Sequence, residues 1–236
     1  MPNHYFRFKQ FAIRQEKAAM KVVTDGVMLG AWATIGNAKT ILDVGSGTGL
    51  IALMLAQRSN ATIDAVEIDE PSAQQATENV NSSRWQNRVA VHCKPFQQFA
   101  KEASIRYDLI VSNPPYFIKS LKSEEAARTV ARHNELMPHA ELLEGINKLL
   151  NENGRFAGIF PYVEGNVFVA LASTYSLYCT KRVSVYGKVN GPAKRLMLEF
   201  SRKKLPLDET SITVRGIDGE YTPEYVNLTK DFYLAF

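Results

Sequence analysis

Short apolar runs alternate with helical periodicities along most of this chain. Residues 40–44, Thr-Ile-Leu-Asp-Val, read as a buried strand, and the apolar run 50–56 that follows reads as the start of a helix. Strands are predicted again at 62–67, 89–92, 107–111 and 156–160, with two more near 179–186 and 195–201. Between them, Pro71 suits a helical first turn, with Ala73, Ala76 and Val80 recurring at helical spacing. A second helix is predicted from Pro138, with Leu142, Leu143, Ile146, Leu149 and Leu150 on one face and a stop at Asn153-Gly154. A weaker one covers about 164–174. Strands alternating with helices predict a parallel α/β sheet covered on both faces. Upstream, residues 18–23 read as a short helix or strand, and Thr24-Asp25-Gly26 as a turn and cap for a helix over 27–32. Phe6, Phe8 and Phe11 interleave with Arg7, Lys9 and Gln10, then Arg14, Lys17 and Lys21 follow. That alternation fits either a nucleic-acid surface or an edge strand with one face on the core.

Composition narrows the class. The 236 residues fit one domain, with 1–33 as an N-terminal cap segment, and the hydrophobic (45%) and charged (22%) fractions are those of a soluble globular protein. The N-terminus lacks the apolar core of a secretory signal, and no run approaches the roughly 18 apolar residues of a membrane span. Two distant cysteines, Cys93 and Cys179, and four histidines without ligand spacing predict a reducing, cytoplasmic setting and no metal. The net charge of +4 permits a nucleic-acid partner without demanding one.

Three stretches carry the chemistry. Gly45-Ser-Gly47-Thr-Gly49 follows the strand at 40–44, and glycines let a ligand approach the backbone closely. The spacing Asp43-x-Gly45-x-Gly47-x-Gly49 differs from the dinucleotide fingerprint, and no G-x-x-x-x-G-K-[ST] is present, so a phosphate-cradling ATP loop is not expected. Glu67 ends the next strand, 18 residues after Gly49, where its oxygens can accept from both ribose hydroxyls. Ser112-Asn113-Pro114-Pro115-Tyr116 ends the strand at 107–111. Its prolines force an extended Asn113 and leave a stiff corner rich in acceptors, with an aromatic ring two residues on. Such a corner suits a planar –NH2 group. In open α/β sheets these strand ends share one crevice.

These three stretches resemble motifs I, II and IV of S-adenosylmethionine-dependent methyltransferases, the fourth being of the amino-group type. Phe6-Arg-Phe-Lys-Gln-Phe11, residues 19–32 and residues 220–233 further resemble bacterial tRNA1(Val) adenine N6-methyltransferases, over nearly the whole chain. The resemblance implies a Rossmann-like, seven-stranded class I sheet, mostly parallel with an antiparallel C-terminal strand, and S-adenosylmethionine as methyl donor with no metal. It implies acceptor roles for the Asn113 side chain and the Pro114 carbonyl, and stacking by Tyr116 on an adenosine of tRNA, at position 37 beside the anticodon. The donor is expected over Gly45, Gly47 and Gly49, with Asp43 orienting the loop, Glu67 on the ribose, and Thr24 and Asp25 at the methionine end. Many methylases place an Asp where Pro95 stands here, so Phe96 is expected against the donor's adenine. Residues 117–137 are expected to form a mobile flap whose Lys119, Lys122, Arg128, Arg132 and His133 meet RNA phosphates, with Arg7, Lys9 and Arg14 from the N-terminus. Arg202-Lys203-Lys204 reads as a solvated turn. No membrane or obligate protein partner is expected. The competing readings are glutamine methylation in a release factor, disfavoured because the glycine loop arrives by residue 45 with no preceding helical domain, and a non-catalytic RNA-binding relict.

Overall fold

The structure is a computed structural model and describes residues 4–18, 20–114 and 139–236. A small hairpin, β1 (Tyr5–Arg7) and β2 (Ala12–Arg14), precedes α1 (Thr24–Trp32). Then come β3 (Thr40–Val44), α2 (Leu50–Arg58), β4 (Thr62–Glu67), α3 (Glu70–Asn81), β5 (Val89–Cys93), α4 (Phe96–Glu102) and β6 (Tyr107–Ser112). The second half holds α5 (His139–Leu149), β7 (Leu150–Pro161), α6 (Tyr162–Thr174), β8 (Tyr178–Lys188), β9 (Ala193–Ser201), β10 (Asp208–Arg215) and α7 (Pro223–Thr229). The main sheet runs β10-β8-β9-β7-β6-β3-β4-β5. Only β9 is antiparallel to its neighbours β7 and β8.

The parallel core strands are apolar on both sides because both faces are covered. On β3, Ile41 faces the core under α1 and α2, while Leu42 and Val44 face the core under α4 and α5. Helix α1 crosses α2 closely. A Cβ on Gly26 would lie 3.1 Å from Leu50, and one on Gly30 would lie 2.7 Å from the Met54 sulfur.

Several expectations change. The sheet carries an eighth strand, β10, parallel to β8. Only Ile212 of that edge strand is buried, so its apolar signal is weak. The helix predicted to stop at Asn153-Gly154 ends at Leu149, and Leu150 already pairs with Tyr107 of β6. The cause is Arg202, whose guanidinium takes the carbonyls of Asn147 and Leu150 and the Asn147 side chain; it caps a helix instead of lying in a solvated turn. Residues 20–23 form no regular element, and Val23, not Thr24, occupies the N-cap of α1.

The aromatic run at the N-terminus is core packing. Phe8 and Phe11 are buried, their rings 4.8 Å apart, and Phe8 also stands 5.9 Å from Tyr233. The Phe96 ring is likewise committed: it is 2% exposed and packs against Gly145 of α5, where an added Cβ would collide with it. Gly145→Ala should therefore cost about 1–3 kcal/mol in urea denaturation through overpacking, and Phe96→Leu in the same chain should recover part of that loss.

Candidate active site

The site begins with three parallel strands that stop side by side. β3 pairs with β4 on one side and β6 on the other, with Val44 opposite both Val66 and Ser112. The Ser112 hydroxyl donates to the Val44 carbonyl at 2.9 Å and is fully buried, which locks the two strand ends together. Asn113, half-buried, and Pro114, buried, therefore emerge beside the first glycine of the loop.

That loop turns back on the end of β4. The N–H groups of Gly45 and Ser46 both donate to the Val66 carbonyl, at 2.9 and 3.1 Å. Gly45, Gly47 and Gly49 have φ of +72°, +53° and +78°, a region that side-chain-bearing residues rarely adopt. A Cβ would meet nothing within 4 Å at Gly45 or Gly47, so the outer side of the loop is open. Glu67 braces it: one carboxylate oxygen accepts from Gly47 N–H at 2.7 Å and the other from Asp69 N–H at 2.9 Å.

Asp43 lies beneath the loop, fully buried. Its Oδ2 accepts from the Ala52 N–H at 3.0 Å, tying β3 to the first turn of α2, and its Oδ1 has no hydrogen-bond partner. Burial pushes its carboxyl up from 3.8 to about 7; the Ala52 N–H opposes the shift and the nearby charge of Glu67 adds to it. A residue that sequence reading missed stands behind the loop. Asn79 of α3 donates to the carbonyls of Thr48 and Arg14 and accepts from Arg14 N–H, so one buried amide joins the glycine loop to the N-terminal hairpin. Its signal was faint: Ser72, Gln75 and Asn79 form a buried polar stripe on a helix whose other inward residues are small.

Helix α1 covers the corner. The Cβ position of Gly26 is 4.0 Å from the Asn113 amide nitrogen. A 2.7 Å ion pair between Asp25 and Arg195 of β9 holds this end of α1.

The family model of the methyltransferase small domain matches residues 27–164. A curated relative from Trichodesmium erythraeum, named tRNA1(Val) (adenine(37)-N6)-methyltransferase, is 48% identical across the full length of both chains. Relatives of the same name from Flavobacterium johnsoniae (47% identical, 97% of this chain and 99% of that one) and Haemophilus influenzae (42%, 98% and 99%) agree. The chain belongs to the tRNA1(Val) (adenine(37)-N6)-methyltransferase family. Among solved structures, a predicted O-methyltransferase from Agrobacterium tumefaciens superposes with a TM-score of 0.69 at 15% identity, covering 88% of this chain and 96% of that one. A ribosomal protein L11 methylase from Lactobacillus delbrueckii gives 0.55 at 17%, covering 84% and 100%. These two establish the shared fold.

The structure thus brings Asp43, Gly45, Gly47, Gly49, Glu67, Asn113 and Pro114 of this family member to one edge of the sheet, with Thr24 and Asp25 beside them. Phe96 is not among them, because its ring lies in the core beneath α5. Lys9 is corrected too: its ammonium donates to the carbonyls of Lys230 and Phe236, at 2.7 and 2.6 Å, and fastens the C-terminal segment. Arg7 and Arg14 stay exposed on the hairpin. Tyr116, Lys119, Lys122, Arg128, Arg132 and His133, with the rest of 117–137, lie outside the described residues. Among the described residues there is no metal-binding cluster, and no helix is long and apolar enough to cross a membrane.

The buried Asp43 gives a pH signature. An unfolded aspartate titrates near 3.8 and this folded one near 7, so the folded chain holds an extra proton between those values. Wild-type stability should fall through that window as pH rises, by at most about 1.4 kcal/mol per pH unit from this group. Asp43→Asn cannot ionise, so its stability relative to wild type should climb between pH 4 and pH 7.5 in parallel urea titrations; a constant difference would contradict the shift.

Proposed function

We propose that this chain methylates the exocyclic N6 of an adenosine in tRNA, at position 37 beside the anticodon of tRNA1(Val), with S-adenosylmethionine as donor. The observation that carries the reading is the juxtaposition of the Asn113-Pro114 corner with the glycine loop, in a chain 48% identical end to end to a relative of that name. The residues fit the donor. The loop is clear above Gly45 and Gly47, Glu67 stands at its rim, and Asp43 keeps an unpartnered oxygen beneath it. Gly45, Gly47 and Gly49 would carry the donor, Glu67 would accept from its ribose hydroxyls, and Thr24 and Asp25 would flank its methionine end. When bound, S-adenosylmethionine supplies an electrophilic methyl on a sulfonium whose leaving group is a neutral thioether.

The corner acts on the amine. The adenine nitrogen is a poor nucleophile because its lone pair is delocalised into the ring. The Asn113 amide oxygen and the Pro114 carbonyl would accept from its two N–H bonds, favouring the pyramidal, increasingly positive nitrogen of the transition state. Tyr116 would stack on the ring and hold the nitrogen in line with the methyl. The methylated ammonium is acidic enough to lose its proton afterwards, so no dedicated base is required. A base in an anticodon loop is unstacked at lower cost than one in a duplex. Arg7 and Arg14, with Lys119, Lys122, Arg128, Arg132 and His133, would supply phosphate contacts. An enzyme acting on tRNA works in the cytoplasm, where tRNA is.

Purified protein with a tritiated donor should label tRNA and leave DNA and release factor unlabelled; label in release factor alone would overturn the proposal. Asn113→Ala should lower kcat by about 10²–10³-fold with donor affinity within about twofold, and unchanged turnover would reduce Asn113 to a turn residue.

A further inference from the structure

The half of the sheet that carries β7, β9 and β8 does not stop where the corner stops. β6 ends at Ser112, opposite Gly158, yet β7 continues three residues to Pro161, where it pairs with Arg195 of β9. At about 3.3 Å per residue this raises a wall about 10 Å above the end of β6, and two strand spacings set β9 about 10 Å to its side. The β8–β9 hairpin tops that wall. Its turn holds Asn190, in the left-handed region at φ +60°, followed by Gly191 and Pro192.

The hairpin is also where the chain keeps its positive charge. Residues 181–204 hold eight lysines and arginines against the single acid Glu199, a surplus of seven, whereas the whole chain nets +4 and is therefore net negative elsewhere. Several of these cations are occupied away from the tip: Lys181 donates to Thr34, Arg182 pairs with Glu209, and Arg202 caps α5. At the tip, Lys188 and Lys194 are exposed, and neither forms an ion pair among the described residues. They sit on adjacent strands, with the Lys194 side chain running within 4 Å of the Cβ position of Gly187. The Lys188 side chain runs along the turn, within 4 Å of the Cβ position of Gly191. Arg195, one residue on, already reaches back to Asp25 over the corner.

We propose that the β8–β9 tip is an RNA-docking wall, in which Lys188 and Lys194 receive the phosphates of nucleotides flanking the adenosine held at Asn113. The inference rests on the tRNA reading above and adds the surface that orients the strand. It also places the strand's exit on the β9 side of the crevice, opposite the glycine loop and α3.

The test compares two double variants that remove equal charge: Lys188→Ala with Lys194→Ala at the tip, and Lys203→Ala with Lys204→Ala beyond the opposite end of β9. Binding of unmodified tRNA is followed by fluorescence anisotropy from 50 to 300 mM KCl, alongside donor titration and a thermal midpoint. The tip variant should weaken tRNA binding about 10-fold or more at low salt and reduce the log–log salt slope by about 1.5–2, the loss of two phosphate contacts. Its donor affinity and thermal midpoint should match wild type. The other variant should keep the wild-type slope. Wild-type affinity and slope in the tip variant, or an equal loss in both variants, would overturn the docking wall while leaving the tRNA reading in place. A wild-type protein that neither binds nor methylates tRNA would remove that reading and this inference with it.

Discussion

Strand β3 is hydrogen-bonded on both sides, and the site depends on where it and its two neighbours end. Because Val44 stands opposite both Val66 and Ser112, the glycine loop, Glu67 and Asn113 leave the sheet at one level. Backbone pairing alone would leave those ends free to fray. Three side chains prevent it: Ser112 on the Val44 carbonyl, Glu67 on Gly47 N–H, and Asp43 on Ala52 N–H. Each is largely buried, so its hydrogen bond competes little with water and its loss would strand a polar group.

The second layer of support comes from the chain's two ends. Asn79 couples the N-terminal hairpin to the loop through three hydrogen bonds. Arg195 holds the start of α1 through Asp25, and Gly26 and Gly30 let that helix settle onto Leu50 and Met54. Without a side chain at Gly26, the helix comes within van der Waals reach of the Asn113 amide. The positioning of the corner is therefore shared between neighbours in the sheet and segments far away in sequence.

What could be read from sequence follows the same division. The strands at 40–44, 62–67 and 107–111 and the glycine loop with its acid are local patterns, in which the residue types dictate the backbone, and these lie close to where the pattern placed them. The misses are residues whose roles are fixed by distant partners. Lys9 looked like an RNA contact, but its acceptors are carbonyls of the last seven residues, up to 227 positions away. Arg202 looked solvated and caps a helix that ends more than fifty residues earlier. Phe96 follows Pro95 at the expected strand end, but whether its ring turns to the crevice or to the core is decided by Gly145, which sequence spacing does not connect to it. β10 carries a two-residue alternation too short to stand out among charged neighbours.

The closure of the hairpin on the C-terminal segment also sets an order of events during synthesis. Phe8 bridges to Tyr233, and Lys9 reaches the Phe236 carbonyl 227 residues on. At about 5–20 residues per second, the ribosome needs roughly 10–50 seconds to make that stretch. Throughout that time the ring of Phe8 lacks the cover of Tyr233. The sheet can assemble while the chain is still emerging, but the hairpin gains its C-terminal cover only once residues 230–236 have been made.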